Sequence, residues 1–192
     1  TVGSISFAVR KDYSTGVNPR SVALGDLDGD GKPDLAVANF YDSTVSVFRN
    51  VSTGGSISFA DSVNFRTASF PRSLAIGDLD GDGKPDLAIA TGSLMSTLSV
   101  LQNRSTSGIS FTQKVDFRIR SKVITWATIA IGDLDGDGKP DLLVNNDRID
   151  SVSVLRNTVS LPNLVSNGSF ETGTAPWVFY TNGAGTFAND AA

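Results

Sequence analysis

The stretch GDLDGDGKPDL occurs three times, at residues 25–35, 77–87 and 132–142, without a changed letter. In the first copy, carboxylates stand at Asp26, Asp28, Asp30 and Asp34, loop positions 1, 3, 5 and 9, and the carbonyl of Lys32 falls at position 7. Alternate residues of a tight loop can converge on one point, and Gly29 and Gly31 permit the backbone turns this demands. Such a set supplies the six or so oxygens that Ca²⁺ prefers, whereas Mg²⁺ takes fewer protein ligands in a stricter geometry. Without a cation, four carboxylates this close repel one another. A solvated Asp-Gly turn is the bland alternative, and the threefold recurrence of the ligand pattern argues against it. An EF-hand does not fit either, because position 12 is Val37, Ile89 or Val144 rather than Glu and strand-like sequence flanks each loop.

The rest of the composition narrows the chemistry further. The 192-residue chain has neither Cys nor His, which removes thiolate nucleophiles, imidazole bases and the usual zinc or copper ligands, so a bound metal must be a hard ion held by oxygen. The net charge of -4 divides into -9 on the three acidic stretches and +5 elsewhere, and three divalent cations would bring the total to +2. No apolar run approaches the ~18 residues of a membrane span, so no membrane insertion is expected. Arg118, Arg120 and Lys122 form a small basic cluster that reads as a solvated loop, not as a nucleic-acid site. The opening TVGSISFAVR is no signal peptide, and the chain begins with Thr1, so a leader or preceding domain is expected.

The elements that must position these loops are short. Asp26 and Asp78 are 52 residues apart and Asp78 and Asp133 are 55 apart, and similarity extends beyond the acidic stretch. A period near 50 marks blades or solenoid coils. Each unit reads as four strands: RSVALGD into the loop, DLAVAN out of it, TVSVFRN after a variable turn, and SISFADSVNF to close. In DLAVAN, large Leu35 and Val37 alternate with small Ala36 and Ala38, as in an inner strand buried on both faces and closely approached on one. The expected fold is all-β, a partial propeller of three four-stranded antiparallel blades over residues 1–157 with metal loops at 26–34, 78–86 and 133–141. The third unit lacks its own closing strand. Conversely, the opening SISFAVRKDY reads as a fourth strand without its first three. Residues 158–163 form a linker, and 164–192 change in composition.

The repeated Asp-x-Asp-x-Asp-Gly-x-x-Asp-Leu core resembles the FG-GAP/VCBS repeat family, whose members include integrin α-subunit propellers and many exported bacterial proteins. The resemblance covers residues 4–157, although the literal Phe-Gly and Gly-Ala-Pro letters and a full ring are absent. It implies one Ca²⁺ per loop, between the first and second strands of each blade. By that resemblance the ligands are Asp26, Asp28, Asp30, Lys32 and Asp34, then Asp78, Asp80, Asp82, Lys84 and Asp86, then Asp133, Asp135, Asp137, Lys139 and Asp141. The tail NLVSNGSFETGTAPW resembles the opening of a carbohydrate-binding jelly roll, truncated here.

The resulting expectation is a calcium-binding repeat module of a secreted or cell-surface protein, recognising a carbohydrate or an extracellular protein. Its recognition loops would lie opposite the metal side, at 39–43, 91–96 and 145–150, with blade connections at 14–20, 66–72 and 118–126. Tyr41, Trp126 and Arg148 are the expected ligand contacts. The alternatives are a calcium-stabilised spacer or a non-catalytic part of a polysaccharide-active enzyme. Some propellers of this resemblance act as lyases on sugars, but a lyase needs a base. Here His is absent and nearly all clustered carboxylates belong to the metal loops, so no enzyme activity is expected.

Overall fold

Runs of four to seven residues rich in Val, Ile, Leu and Ser, punctuated by Asp-Gly loops, are too short for helices and form strands throughout. A computed structural model describes residues 4–92, 97–119, 128–146 and 150–160, which fall within the unit Thr1–Leu161. The first sheet is β1 (Pro19–Gly25), β2 (Asp34–Asn39), β3 (Thr44–Phe48) and β4 (Val63–Arg66). The second repeats it as β5 (Pro71–Gly77), β6 (Asp86–Thr91), β7 (Thr97–Leu101) and β8 (Val115–Arg118). The third holds β9 (Ile129–Gly132), β10 (Asp141–Asn146) and β11 (Ser151–Leu155). Neighbours in sequence are antiparallel neighbours in space, so these are three successive meanders of four, four and three strands.

The closing strand is shorter than the sequence suggested. Only Val63–Arg66 pairs regularly with β3, while SISF folds back on the segment after β3 through bridges from Asn50 to Phe59 and from Thr53 to Ser56. The ladder breaks there because the Asn50 N–H is donated to the Asp34 carboxylate at 2.7 Å. The second sheet repeats the break, with Asn103 N–H on Asp86 at 2.8 Å and a bridge from Asn103 to Phe111.

The core lies between sheets. One face of the first sheet, with Ala36, Ala38, Val45 and Val47, packs against Leu74, Leu87 and Ile89 of the second. The same face of the second sheet, with Ala88, Ala90, Leu98 and Val100, packs against Ile129, Leu142 and Val144 of the third. The small alanines let the next sheet approach until its larger side chains fill the gap, each such side chain contributing roughly 1.5–3 kcal/mol when fully buried. Glycine ends β1 and β5 for the same reason. A Cβ on Gly25 would lie 2.8 Å from Ile76, and one on Gly77 would lie 3.1 Å from Ile131. Two hydrogen bonds repeat across the joints: Leu74 N–H to Ser21 Oγ and Ile129 N–H to Ser73 Oγ, both at 3.2 Å.

Candidate metal centres

Each acidic loop joins the first two strands of its sheet, and its own backbone organises its carboxylates. Asp26 accepts the N–H groups of Gly29 and Gly31 on its two oxygens, both at 2.8 Å. Asp78 does the same with Gly81 and Gly83, and Asp133 with Gly136 and Gly138, at 2.8 and 2.9 Å in each case. These glycines hold φ between 78° and 85°, a left-handed region costing a residue with a Cβ roughly 1–2 kcal/mol. Position 9 is pinned as firmly. Asp34 accepts from Leu27 N–H at 2.9 Å besides Asn50, and Asp86 and Asp141 accept from Leu79 and Leu134, each at 3.0 Å.

The third anchor comes from the end of the third strand. Arg49 donates to Asp28, Gln102 Nε2 to Asp80 at 3.0 Å, and Arg156 to Asp135. Positions 1, 3 and 9 thereby converge. In each of the triads Asp26/Asp28/Asp34, Asp78/Asp80/Asp86 and Asp133/Asp135/Asp141, one carboxylate oxygen per residue lies within 4.8 Å of the others.

Position 5 stands apart from these triads. Asp30 is 3.7 Å from Lys32 Nζ and 3.6 Å from Arg49, Asp82 is 3.5 Å from Arg104, and Asp137 is bonded by Arg156 at 3.0 Å. Lys139 Nζ lies 3.8 Å from Asp137. Lys84 Nζ donates to the Ser105 carbonyl at 2.9 Å.

The electrostatics follow from burial. Asp34 and Asp86 are almost wholly buried. Desolvation pushes the Asp34 carboxyl up and that of Asp86 up to about 6, with the neighbouring carboxylates adding to the effect and backbone N–H groups opposing it. The Arg156 hydrogen bond pulls Asp135 down. In each loop three carboxylates are held at one point, the position 9 carboxyl being pushed up in the first two loops, and they form an all-oxygen donor set suited to a hard divalent cation.

The clamp residues escaped the sequence reading, although the FRN, LQN and LRN triplets at the ends of the third strands carried the signal. Asn103 Nδ2 donates both to Pro85 O of its own loop and to Leu27 O of the preceding one, at 2.9 Å each. Asn157 repeats this with Pro140 at 3.1 Å and Leu79 at 2.8 Å. Asn103 therefore ties the second acidic loop to the first, and Asn157 ties the third to the second.

At the opposite end of the first two sheets, Tyr41 stands 61% exposed. Its ring meets Phe40 at 5.1 Å, and Phe40 in turn meets Phe70 at 5.1 Å. The guanidinium groups of Arg20 and Arg72 lie 5.1 and 4.6 Å from the Phe40 ring. Both arginines sit where the first-strand ladder shifts register, an irregularity that re-aims a side chain. Phe70 holds φ 61° and Ser43 φ 54°, conformations that are costly for residues with a Cβ and cluster at functional sites. Of the expected contacts, Trp126 and Arg148 lie outside the described residues, as do most of the 118–126 connection, residues 93–96 and 147–149, and the jelly-roll-like tail.

Residues 26–89 and 78–144 each match the family model of the FG-GAP-like repeat. The chain is also similar to integrin alpha-4 of Xenopus laevis, 29% identical over 177 residues, which covers 79% of this chain and 17% of that protein. No helix among the described residues is long and apolar enough to cross a membrane.

Proposed function

Because the chain belongs to the FG-GAP-like repeat family, we propose that it is a calcium-stabilised propeller module that recognises a carbohydrate or an extracellular protein through the rim opposite its metal loops. The observation that carries the calcium part is the convergence of three carboxylates in every acidic loop, repeated with the same backbone anchors. The residues that would hold the ion are Asp26, Asp28 and Asp34 and their counterparts, joined by the position 5 carboxylates and the position 7 carbonyls once the lysine and arginine partners are displaced. Calcium binding to the folded chain alone would stabilise it by about 2.7 kcal/mol per site at a concentration roughly a hundred times Kd. Melting with calcium and with a chelator tests this, and an unchanged midpoint refutes it.

The recognition part rests on the Tyr41, Phe40, Phe70, Arg20 and Arg72 cluster. Edge-on and tilted rings flanked by guanidinium groups suit the apolar faces and hydroxyls of a sugar or the side chains of a protein. The similarity to an integrin alpha chain supports a location outside the cell or at its surface. We read the module as non-catalytic, since the chain has no His or Cys and the carboxylate clusters found among the described residues are the metal loops. Glycan-array and pull-down binding with Tyr41→Ala beside the unaltered chain is the test. Binding lost by the variant with calcium stabilisation intact supports recognition, whereas silence of both proteins in both assays favours a spacer.

A further inference from the structure

The three acidic loops are identical in sequence, yet the side chains laid over them are not. In the first, Arg49 from the end of the third strand donates to Asp28, a member of the converging triad, and reaches Asp30 at 3.6 Å. In the third, Arg156 holds Asp135 of the triad and Asp137 in the same way. In the second, the place of these arginines is taken by Gln102, whose neutral amide donates to Asp80 at 3.0 Å. Among the described residues, ion pairs reach that loop only at position 5, where Arg104 lies 3.5 Å from Asp82.

The lysines divide likewise. Lys32 and Lys139 lie 3.7 and 3.8 Å from the position 5 carboxylates of their own loops, whereas the Lys84 ammonium is turned to the Ser105 carbonyl. Among the described residues, Asp78, Asp80 and Asp86 thus form the one triad with no ion pair to a cationic side chain. Burial does not account for the difference between the first two loops. In both, positions 1 and 3 are half-buried and position 9 is buried, and the same glycine N–H groups fix position 1. What separates them is the charge laid on the triad. An arginine on a triad carboxylate opposes an incoming cation twice: its hydrogen bonds occupy oxygen atoms that the ion needs, and its charge repels the ion at short range. A glutamine occupies one oxygen and brings no charge.

We propose, resting on the calcium reading, that the loops fill unequally: the second takes calcium first, and Arg49 and Arg156 hold the first and third back until calcium is higher. The two arginines are built-in counter-ions that offset the repulsion within their loops without metal. They can leave because they lie at the surface, their side chains 46% and 58% exposed. Exposed ion pairs are each worth little, and each arginine makes two, so the affinity gap is expected to be about three- to tenfold. It should narrow as salt screens the charges.

Calcium titration of the full 192-residue chain, followed by the backbone amide NMR signals of the loop glycines, reads each loop separately. Gly81 and Gly83 are expected to reach half-change at about three- to tenfold lower calcium than Gly29 and Gly31 or Gly136 and Gly138. Arg49→Gln should bring the first loop to the second loop's midpoint without moving the third. Gln102→Arg, which installs the side chain both neighbouring repeats carry there, should delay the second loop to match the first. Equal midpoints in the unaltered chain, midpoints that ignore both exchanges, or a gap that high salt leaves unchanged overturn the proposal while calcium binding itself stands. Glycine signals that never respond to calcium overturn the calcium reading and this proposal with it.

Discussion

Asn103 and Asn50 occupy the same place in successive repeats, yet their replacement by alanine should cost different amounts. Asn103 is 1% exposed and its side chain makes three hydrogen bonds, donating to Leu27 O and Pro85 O and accepting from Ser105 N–H at 2.8 Å. Asn50 makes two of the three, to Pro33 O at 2.7 Å and from Ser52 N–H at 2.9 Å, because no earlier acidic loop stands beside it among the described residues. At a net of about 1 kcal/mol per bond, Asn103→Ala should lose about 3 kcal/mol and Asn50→Ala about 2. The common effects of truncation cancel in the difference, leaving about 1 kcal/mol for the bond between metal loops, or roughly 2–4 °C in midpoint for a chain of this size. The assay is urea unfolding in saturating calcium. Equal losses, within the ~0.3–0.5 kcal/mol by which independent effects usually agree, would refute the idea that Asn103 couples one loop to the next.

The other expectations separate architecture from metal binding. Asp80→Ala, which removes a position 3 carboxylate held by Gln102, should leave the chelated protein's midpoint nearly unchanged while reducing the shift produced by calcium; an undiminished shift would exclude Asp80 as a ligand. Asp86→Ala should destabilise the chelated protein as well, by about 2 kcal/mol, because Leu79 and Asn103 N–H groups lose a buried acceptor. Chelator melting of that variant measures it. Gly31→Ala, at φ 83° with nothing near its Cβ, should cost roughly 1–2 kcal/mol from backbone strain alone, whereas Ala88→Leu should cost roughly 1–3 kcal/mol by overpacking the joint between the second and third sheets. Urea midpoints decide both.

The parts legible in the chain are those whose physics is local. Carboxylates at alternate loop positions with glycine between them need no distant partner to declare a cation site, and the alternation in DLAVAN declares an inner strand with one closely packed face. Tyr41 could be picked from its place in a variable turn. Its companions lie within the expected recognition segments 14–20, 39–43 and 66–72, but their gathering around the Phe40 ring could not be read, since Arg20 and Phe40 are 20 residues apart and Phe70 and Arg72 belong to the next repeat. The asparagine clamps were hidden for the same reason, because Asn103 reaches Leu27 from 76 residues away.

By itself the sequence determined the repeat, the strand order and the acidic loops that could hold a hard cation, because each follows from residue type and spacing within one unit. Only the tertiary structure decided what joins the units. It set the face of each sheet that receives the next and the arginine, glutamine and asparagine groups that hold the carboxylates. Those depend on stacking distance and register between segments some fifty residues apart, which local pattern does not encode.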